Sequence, residues 1–547
     1  MNPDSNSPVN HPGNNRHALR THLSIQSPTR SHPALTPAPA PPPPRPAPPR
    51  PAPATQPTHA PPLHPVLVSS VDSEPRFKSQ VNMSAIGSSS NPLRVAIIGS
   101  GPAGFYTVSN LLKQDGFVVE IDMFEKLPTP FGLVRAGVAP DHQKDKSVTR
   151  AYDKSAASPA FRFFGNVEFG RHVHLDDLRR HYHQVVFATG AQEDRPLNIP
   201  GEDAIGSHPA TDFVAWYNGH PDYADHEFDL EANSVAIIGL GNVAIDVARM
   251  LCKSVDELGS TDMADHALSA LSSSKIKTVT ILGRRGPAQA AFTPEEIREI
   301  GALEHTDVVV RADEARLDDA SRSALATSAD RNAAKNVEII TTFSQWQSAA
   351  RDKRLNIRFM VSPVEILTDT TNHVTGIRIV KNESFLGNDG SVRVRATESE
   401  EILPVQMVFR SVGYRGVPLP EVPFDASSGV IPNVSGRVID SDKQPVNGLY
   451  VVGWIKRGPS GVIGSNKTDA KETVTGMIED AVAGRCFAPS HPDAASVYAL
   501  IASRQPRHVD FNHWRELDDV EVRNGLAAER PRIKFTNVDD MLRVLLR

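Results

Sequence analysis

Past residue 91 the chain alternates short apolar runs with longer stretches of helical spacing. The runs are Val95–Ile98, Val118–Phe124, Val185–Ala188, Ser234–Ile238, Lys277–Leu282, Val408–Gly413 and Leu449–Trp454. Runs this short and this β-branched suit buried strands of parallel sheets. Helical patterns follow three of them, over Phe105–Gln114, Val243–Cys252 and Lys467–Ala483. The alternation predicts an α/β fold with two Rossmann-like dinucleotide-binding domains.

Two strand ends carry glycines at informative spacing. Gly99, Gly101 and Gly104 form G-x-G-x-x-G after the first run. The first permits a tight turn, the second lets backbone approach a pyrophosphate, and the third lets helix pack on strand. Phosphates would then face free N–H groups and the positive end of a helix. The next strand ends in Glu125, where a carboxylate can bind ribose hydroxyls. The pattern recurs at Gly239-Leu-Gly-Asn-Val-Ala244, with Ala244 in place of the third glycine. There the following strand ends in Gly283-Arg-Arg-Gly286 instead of an acid. Two guanidiniums suit a 2′-phosphate by charge and bidentate hydrogen bonds, so this site should prefer NADP(H). Hydride from NADPH needs an acceptor, and FAD fits the site that has the acid.

The order of sites implies an NADP domain inserted in a discontinuous FAD domain. Val185–Ala188 reads as the last strand before the chain leaves, and Val408–Gly413 as a return strand. The expected boundaries are 92–193 for the first FAD part, 194–412 for the NADP domain, and 413–547 for the second FAD part with C-terminal helices. Leu449–Trp454 leads through Gly458-Pro-Ser-Gly-Val-Ile-Gly464 into the last long helix. A flavin placed with N1 and O2 against that helix N-terminus would have its reduced anion stabilised.

Composition changes the picture mainly at the start. Of 547 residues, 45 are proline, and 17 of these fall between Pro28 and Pro65. Proline lacks the N–H for helix or sheet ladders, so residues 1–91 are expected to be a disordered or extended segment. Scattered arginines with few acids allow a transit peptide, although the proline density argues against its amphipathic helix. Translation could also begin at Met83. A cytoplasmic location is expected, or the mitochondrial matrix if the segment is a transit peptide. The net charge of −6 divides into +4 up to Asn91 and −10 beyond it, which argues against nucleic acid as the partner. No apolar run reaches the ~18–20 residues of a membrane-spanning helix. The two cysteines, Cys252 and Cys486, form no C-x-x-C pair. They exclude an iron–sulfur or cysteine–zinc centre built by this chain alone, and no metal is expected.

Three segments together resemble adrenodoxin-reductase-type ferredoxin–NADP(+) reductases, in their bacterial branch. They are Phe124–His142 (FEKLPTPFGLVRAGVAPDH), GRRGPAQAAFTPEEIRE from Gly283, and GWIKRGPSGVIGSNKTDA over Gly453–Ala470. FRFFGNV (Phe161–Val167) and the closing PRIKFTNVDDML fit the bacterial branch. The resemblance covers about Leu93 to the C-terminus and implies a glutathione-reductase-like fold. It implies that Ala103, Glu125, Leu133, Val173, Trp454 and the Gly461-Val462-Ile463 backbone contact FAD. It puts the NADPH pyrophosphate on Gly241, Asn242, Val243 and Ala244, and the 2′-phosphate on Arg284 and Arg285. Glu296 would face the far ribose or nicotinamide, and Gly461 both cofactors. His142 and Glu299 would form a hydrogen-bonded pair near the nicotinamide. Phe131 stands where the family commonly has tryptophan.

The function so implied is an NADPH-dependent flavoprotein reductase (EC 1.18.1.- type). It would pass electrons from NADPH through FAD, one at a time, to a ferredoxin- or adrenodoxin-like iron–sulfur protein. An acidic carrier would need a local basic patch, for which Lys456, Arg457 and the Arg298 helix are candidates. The rivals are a disulfide reductase, which lacks its cysteine pair here, a flavin monooxygenase, and an NADPH-sensing protein without turnover.

Overall fold

The computed structural model describes residues 85–546. The expectations for the proline-rich segment, including a start at Met83 or a transit peptide, lie outside the described residues. Structure begins earlier than residue 91. Ile86 packs against the first core, Gly87 N–H donates to Asn91 O at 2.8 Å, and Val118 N–H donates to Gly87 O at 2.7 Å. The boundary placed at 91 therefore falls too late, because Ile86 has apolar surface to bury.

Two sheets organise the rest, one parallel except at its outermost strands and one parallel throughout. The first contains β1 (Leu93–Ile98), β2 (Val119–Phe124), β3 (Phe161–Phe164) and β4 (Gln184–Phe187). It is completed by Pro445–Val451, which pairs in parallel with β4, and by the short strands Arg437–Ile439 and Asn433–Val434 beyond it. β1 lies between β4 and β2, parallel to both. Every residue of β1 and β4 is buried, as expected for strands covered on both faces.

The second sheet runs in the order Ser207–Pro209, Met407–Arg410, Ser234–Ile238, Thr278–Leu282, Lys353–Arg358, Thr306–Val310. All of its pairings are parallel. The run at 408–413 is thus the last strand of the second sheet, and the return to the first is made by Pro445–Val451. A three-stranded antiparallel sheet of Val361–Thr368, Val374–Leu386 and Val392–Leu403 packs beside the second sheet. Helices Phe511–Ala527 and Val538–Leu545 cover the first sheet, with Trp514, Leu517 and Met541 in its core.

In each sheet one strand sits where the connections diverge: β1 between β2 and β4, and Ser234–Ile238 between Thr278–Leu282 and Met407–Arg410. The carboxyl ends of strands at such a point form the crevice where α/β sheets bind ligands. Both glycine turns lie there.

Candidate nucleotide-binding site

At the first turn the glycines divide the work as their chemistry predicts. Gly99 has φ +102°, and a Cβ there would stand 2.6 Å from the Ala188 carbonyl oxygen. A Cβ on Gly104 would run into Gly99 O. Gly101 differs: nothing lies within 4 Å of where its Cβ would be. Backbone is packed tightly on both sides of a small open surface. Helix α1 (Pro102–Leu111) starts at that surface with Gly101 as its N-cap and no side chain capping it. The turn therefore offers unblocked space and unclaimed N–H groups to an anion.

Glu125 closes this site. Its Oε2 accepts from Ser100 N (3.0 Å) and Ser100 Oγ (2.5 Å), and its Oε1 from Leu127 N (3.1 Å). Burial raises its pKa, and these hydrogen bonds only partly oppose that rise. The segment after Thr129 folds over the turn. Phe131 N–H donates to Ser100 O at 3.0 Å, and Phe131 itself takes φ +84°. Its ring is held against Trp514, Phe105 and Tyr152, and this packing maintains the unusual backbone conformation. Leu133 is exposed, and Ala103 is buried in α1. Val173 is only 1% exposed, with its side chain in the core and its carbonyl taken by Gly170 N–H. Val167, by contrast, donates its N–H to Glu125 O at 2.8 Å and adjoins the acid directly.

The returning strand brings Gly453 to the same place. A Cβ there would come within 2.6 Å of Ala103 Cβ, and Gly453 N–H donates to Asp469 Oδ2 at 2.5 Å. Trp454 opens a short turn, its Nε1 donating to Ser460 O at 3.2 Å and its ring against Tyr414. Gly461 has φ +81°, Val462 is exposed and Ile463 packs on the core. Helix Ser465–Val482 follows.

The second turn repeats the first. Gly239 (φ +139°) is pressed on Ser411 O, nothing lies within 4 Å of a Cβ on Gly241, and Ala244 is fully buried where helix meets strand. Helix Asn242–Cys252 begins with Gly241 as its N-cap. Asn242 Oδ1 accepts from Thr293 N at 2.9 Å, which docks the Ala291–Thr293 segment on the turn; Val243 is half-buried beside it. Arg284 and Arg285 are both exposed, and neither has an acidic partner among the described residues. Their main chain is fixed: Gly283 N donates to Arg358 O, Asn382 Nδ2 to Arg284 O, and Met360 N to Arg285 O.

Between the turns lies a charged cluster. His142, after the loop that follows helix Leu133–Ala136, places Nε2 2.8 Å from Glu299 Oε2. Glu299 and Glu296 project from helix Pro294–Gly301, with Glu296 3.9 Å from His142 Nδ1. Burial pulls the imidazole's pKa down, but the bond to Glu299 and the charges of Asp246 and Glu296 outweigh it and raise the pKa to about 9. Burial tends to raise the Glu299 pKa, yet His142 and Arg249 hold it below the ordinary value. Asp246, buried beside Glu296, is pushed up to about 8. Ligand-type atoms of His142, Glu296 and Glu299 lie within 4.8 Å of one another. The Arg249 guanidinium 3.0 Å from Glu299 opposes a further cation there.

The structure thus gathers the sequence-predicted residues around two turns and one pair. Sequence reasoning did not single out Ser100, Asp469, Asp246 or Arg249. Ser100 lies inside the G-x-G-x-x-G run, and Asp246 and Arg249 follow at helical spacing from the second, which is the signal that could have found them. Lys456 is corrected: it is 8% exposed, its Nζ held by Asp469 (3.0 Å) and Glu472 (2.6 Å), so it cannot face a partner. Arg298 is exposed and Arg457 is bonded to Ser460 and Asn466. Among the described residues, no helix is long and apolar enough to cross a membrane.

A model of the pyridine nucleotide-disulphide oxidoreductase family matches residues 93–317. NADPH-ferredoxin reductase FprA of Mycobacterium tuberculosis is 44% identical over 465 residues, which is 83% of this chain and 99% of that protein. The mitochondrial NADPH:adrenodoxin oxidoreductase of Arabidopsis thaliana is 39% identical over 471 residues, 83% of this chain and 95% of the relative. The solved structure of M. tuberculosis FprA in complex with NADPH superposes with a TM-score of 0.78 at 43% identity, covering 84% of this chain and all of that one. Near-complete coverage at this identity means that the chain belongs to the adrenodoxin-reductase-type ferredoxin–NADP(+) reductases.

Proposed function

We propose that this chain is an NADPH-dependent flavoprotein reductase that passes electrons, through FAD, to a ferredoxin-like iron–sulfur protein. The observation that carries the reading is the pair of open glycine turns, one closed by Glu125 and the other flanked by the unpaired Arg284 and Arg285. The first fits FAD: space at Gly101, free N–H groups at the start of α1, and a carboxylate with capacity for a ribose hydroxyl. The second fits NADPH, since an exposed arginine pair matches a 2′-phosphate and an acid would repel it.

FAD, when bound, supplies the conversion of two-electron donation by NADPH into one-electron delivery. The chain's own residues bind and orient. Gly99–Gly104 with α1 would hold the FAD pyrophosphate and Glu125 its ribose, with Ala103, Leu133, Trp454 and Gly461–Ile463 bordering the rest. Gly239, Gly241 and Asn242–Ala244 would hold the NADPH pyrophosphate, with Glu296 towards the nicotinamide half. His142 and Glu299, hydrogen-bonded at 2.8 Å, would lie near the nicotinamide. Val173, with 1% of its surface exposed, has almost nothing to offer a ligand. The proposed domains follow the sheets: 92–193, with the segment from residue 85 packed onto it, and 413–547 for FAD, and 194–412 for NADPH.

A disulfide reductase is disfavoured because Cys252 and Cys486 are both free, and Cys252 is buried beside Thr306 with its thiol pKa pushed up to about 12. The reaction is proposed to run in the cytoplasm. The test is to purify the protein, record its visible spectrum and titrate it with NADPH and with NADH, then supply a ferredoxin. A yellow protein bleached selectively by NADPH, and reoxidised by ferredoxin, is expected. A colourless protein, or equal bleaching by both nucleotides, would refute the reading.

A further inference from the structure

One side chain grips both Glu299 and the residue next to its partner His142. Arg249, on helix Asn242–Cys252, is 1% exposed. Its Nη2 bonds the Asp141 carboxylate and stands 3.0 Å from Glu299 Oε2. Its Nη1 bonds Asp246 Oδ1 at 2.7 Å and stands 3.7 Å from Glu296 Oε2. A buried guanidinium is costly unless carboxylates surround it, and here four do. Their origin matters more than their number. Asp141 precedes His142 in the loop on the first-sheet side, whereas Asp246, Glu296 and Glu299 stand on helices of the second. Lys253, one helical turn further, also reaches Asp141 at 2.8 Å.

Two of these carboxylates share one nitrogen. Nη2 fixes the residue next to His142 and also the acid that His142 bonds. We propose that Arg249 is a positioning residue: it holds the imidazole and the Glu299 carboxylate at bonding distance across the cleft. The proposal rests on the reading that this pair serves NADPH oxidation, and goes beyond it by naming what sets the pair. The charges facing the pair are Asp141, Asp246, Glu296, Arg249 and, behind Asp141, Lys253; Asp145 faces Glu296.

The sign of one titration separates positioning from mere proximity. A neighbouring cation makes an imidazole harder to protonate, so if Arg249 were only a neighbour, its removal would raise the His142 titration midpoint. If Arg249 holds the pair together, its removal breaks the bond to Glu299, and the midpoint falls from about 9 towards the ordinary value of 6.5.

The experiment uses FAD-loaded Arg249→Met, with His142→Gln to assign the imidazole NMR resonance. It also includes Glu299→Gln, and follows flavin reduction by NADPH in a stopped-flow instrument. A downward midpoint and roughly tenfold slower reduction are expected, the size of a modest misplacement of reacting groups. An unchanged or raised midpoint would overturn the proposal. If Arg249→Met fails to retain FAD, Arg249→Lys decides: it keeps the cation but loses the guanidinium fork that reaches both Asp141 and Glu299, so mere proximity predicts an unchanged midpoint and positioning predicts that it again falls. Should His142→Gln and Glu299→Gln leave reduction unchanged, the catalytic reading of the pair fails, while the titration still judges Arg249.

Discussion

Replacing Arg284 and Arg285 together by glutamine should abolish the preference for NADPH without harming the fold. Both side chains are exposed and without acidic partners among the described residues. Neither therefore supports the structure, and neither must be released from a partner before meeting a phosphate. The turn itself is secured through main chain, by Gly283 N to Arg358 O at 2.9 Å and by the bonds to Arg284 O and Arg285 O at 2.8 and 3.2 Å. Glutamine leaves all three intact. A hydrogen bond to a charged group is worth about 1.5–3 kcal/mol, and exposure argues for the low end. Two such interactions give about 3 kcal/mol, or roughly a hundredfold in kcat/KM for NADPH. NADH has no phosphate at this position, so its kcat/KM should stay within about threefold. Steady-state ferricyanide reduction with each nucleotide measures both numbers. A parallel fall with NADPH and NADH, or a loss with NADPH below about threefold, would refute the assignment of the arginine pair.

Three further outcomes follow from the packing and charges. Gly99→Ala forces a side chain into a φ of +102° and 2.6 Å from Ala188 O; strain of about 1–3 kcal/mol should weaken FAD roughly 5- to 150-fold, read as flavin absorbance per protein after dialysis. The His142 pKa is raised to about 9 when folded. Its contribution to stability is therefore full below pH about 6.5 and is lost as pH rises towards 9. The difference in melting temperature between wild type and His142→Gln should shrink over that window, and a constant difference would contradict it. Glu521, fully buried, accepts from Arg135 at 2.7 and 2.6 Å and from Phe535 N–H at 2.9 Å. Glu521→Ala strands the Arg135 charge, and urea unfolding should show a loss of about 3–5 kcal/mol.

Both glycine turns were legible because each strand, turn and helix is continuous in sequence. The strand expected at Lys277–Leu282 forms over Thr278–Leu282, and the helix expected at Val243–Cys252 forms over Asn242–Cys252. The His142–Glu299 contact, whose members stand 157 positions apart, came only from the family resemblance, since no local pattern encodes it. Arg249 escaped because a mid-helix arginine looks solvated until tertiary structure buries it. Lys456 misled for the same reason: GWIKRG reads as an exposed basic turn, but Asp469 and Glu472 come from a later helix. The antiparallel sheet of 361–403 was not singled out. Its edge strand Val392–Leu403 is largely exposed and polar, so it lacks the apolar runs that marked the parallel strands.

The partnership of β4 with Pro445–Val451 has a consequence for biosynthesis. β4 ends at Phe187, yet its neighbour is translated more than 250 residues later. Every strand of the second sheet lies between Ser207 and Arg410. As the chain leaves the ribosome, the inserted sheet can therefore be completed while the host sheet still has an open margin at β4. An unpaired, apolar strand margin is a template for mispairing with other chains. Nascent chains stalled between about residues 410 and 445 should be the most dependent on chaperones, and termination in that interval would leave a well-formed insert on an unfinished host.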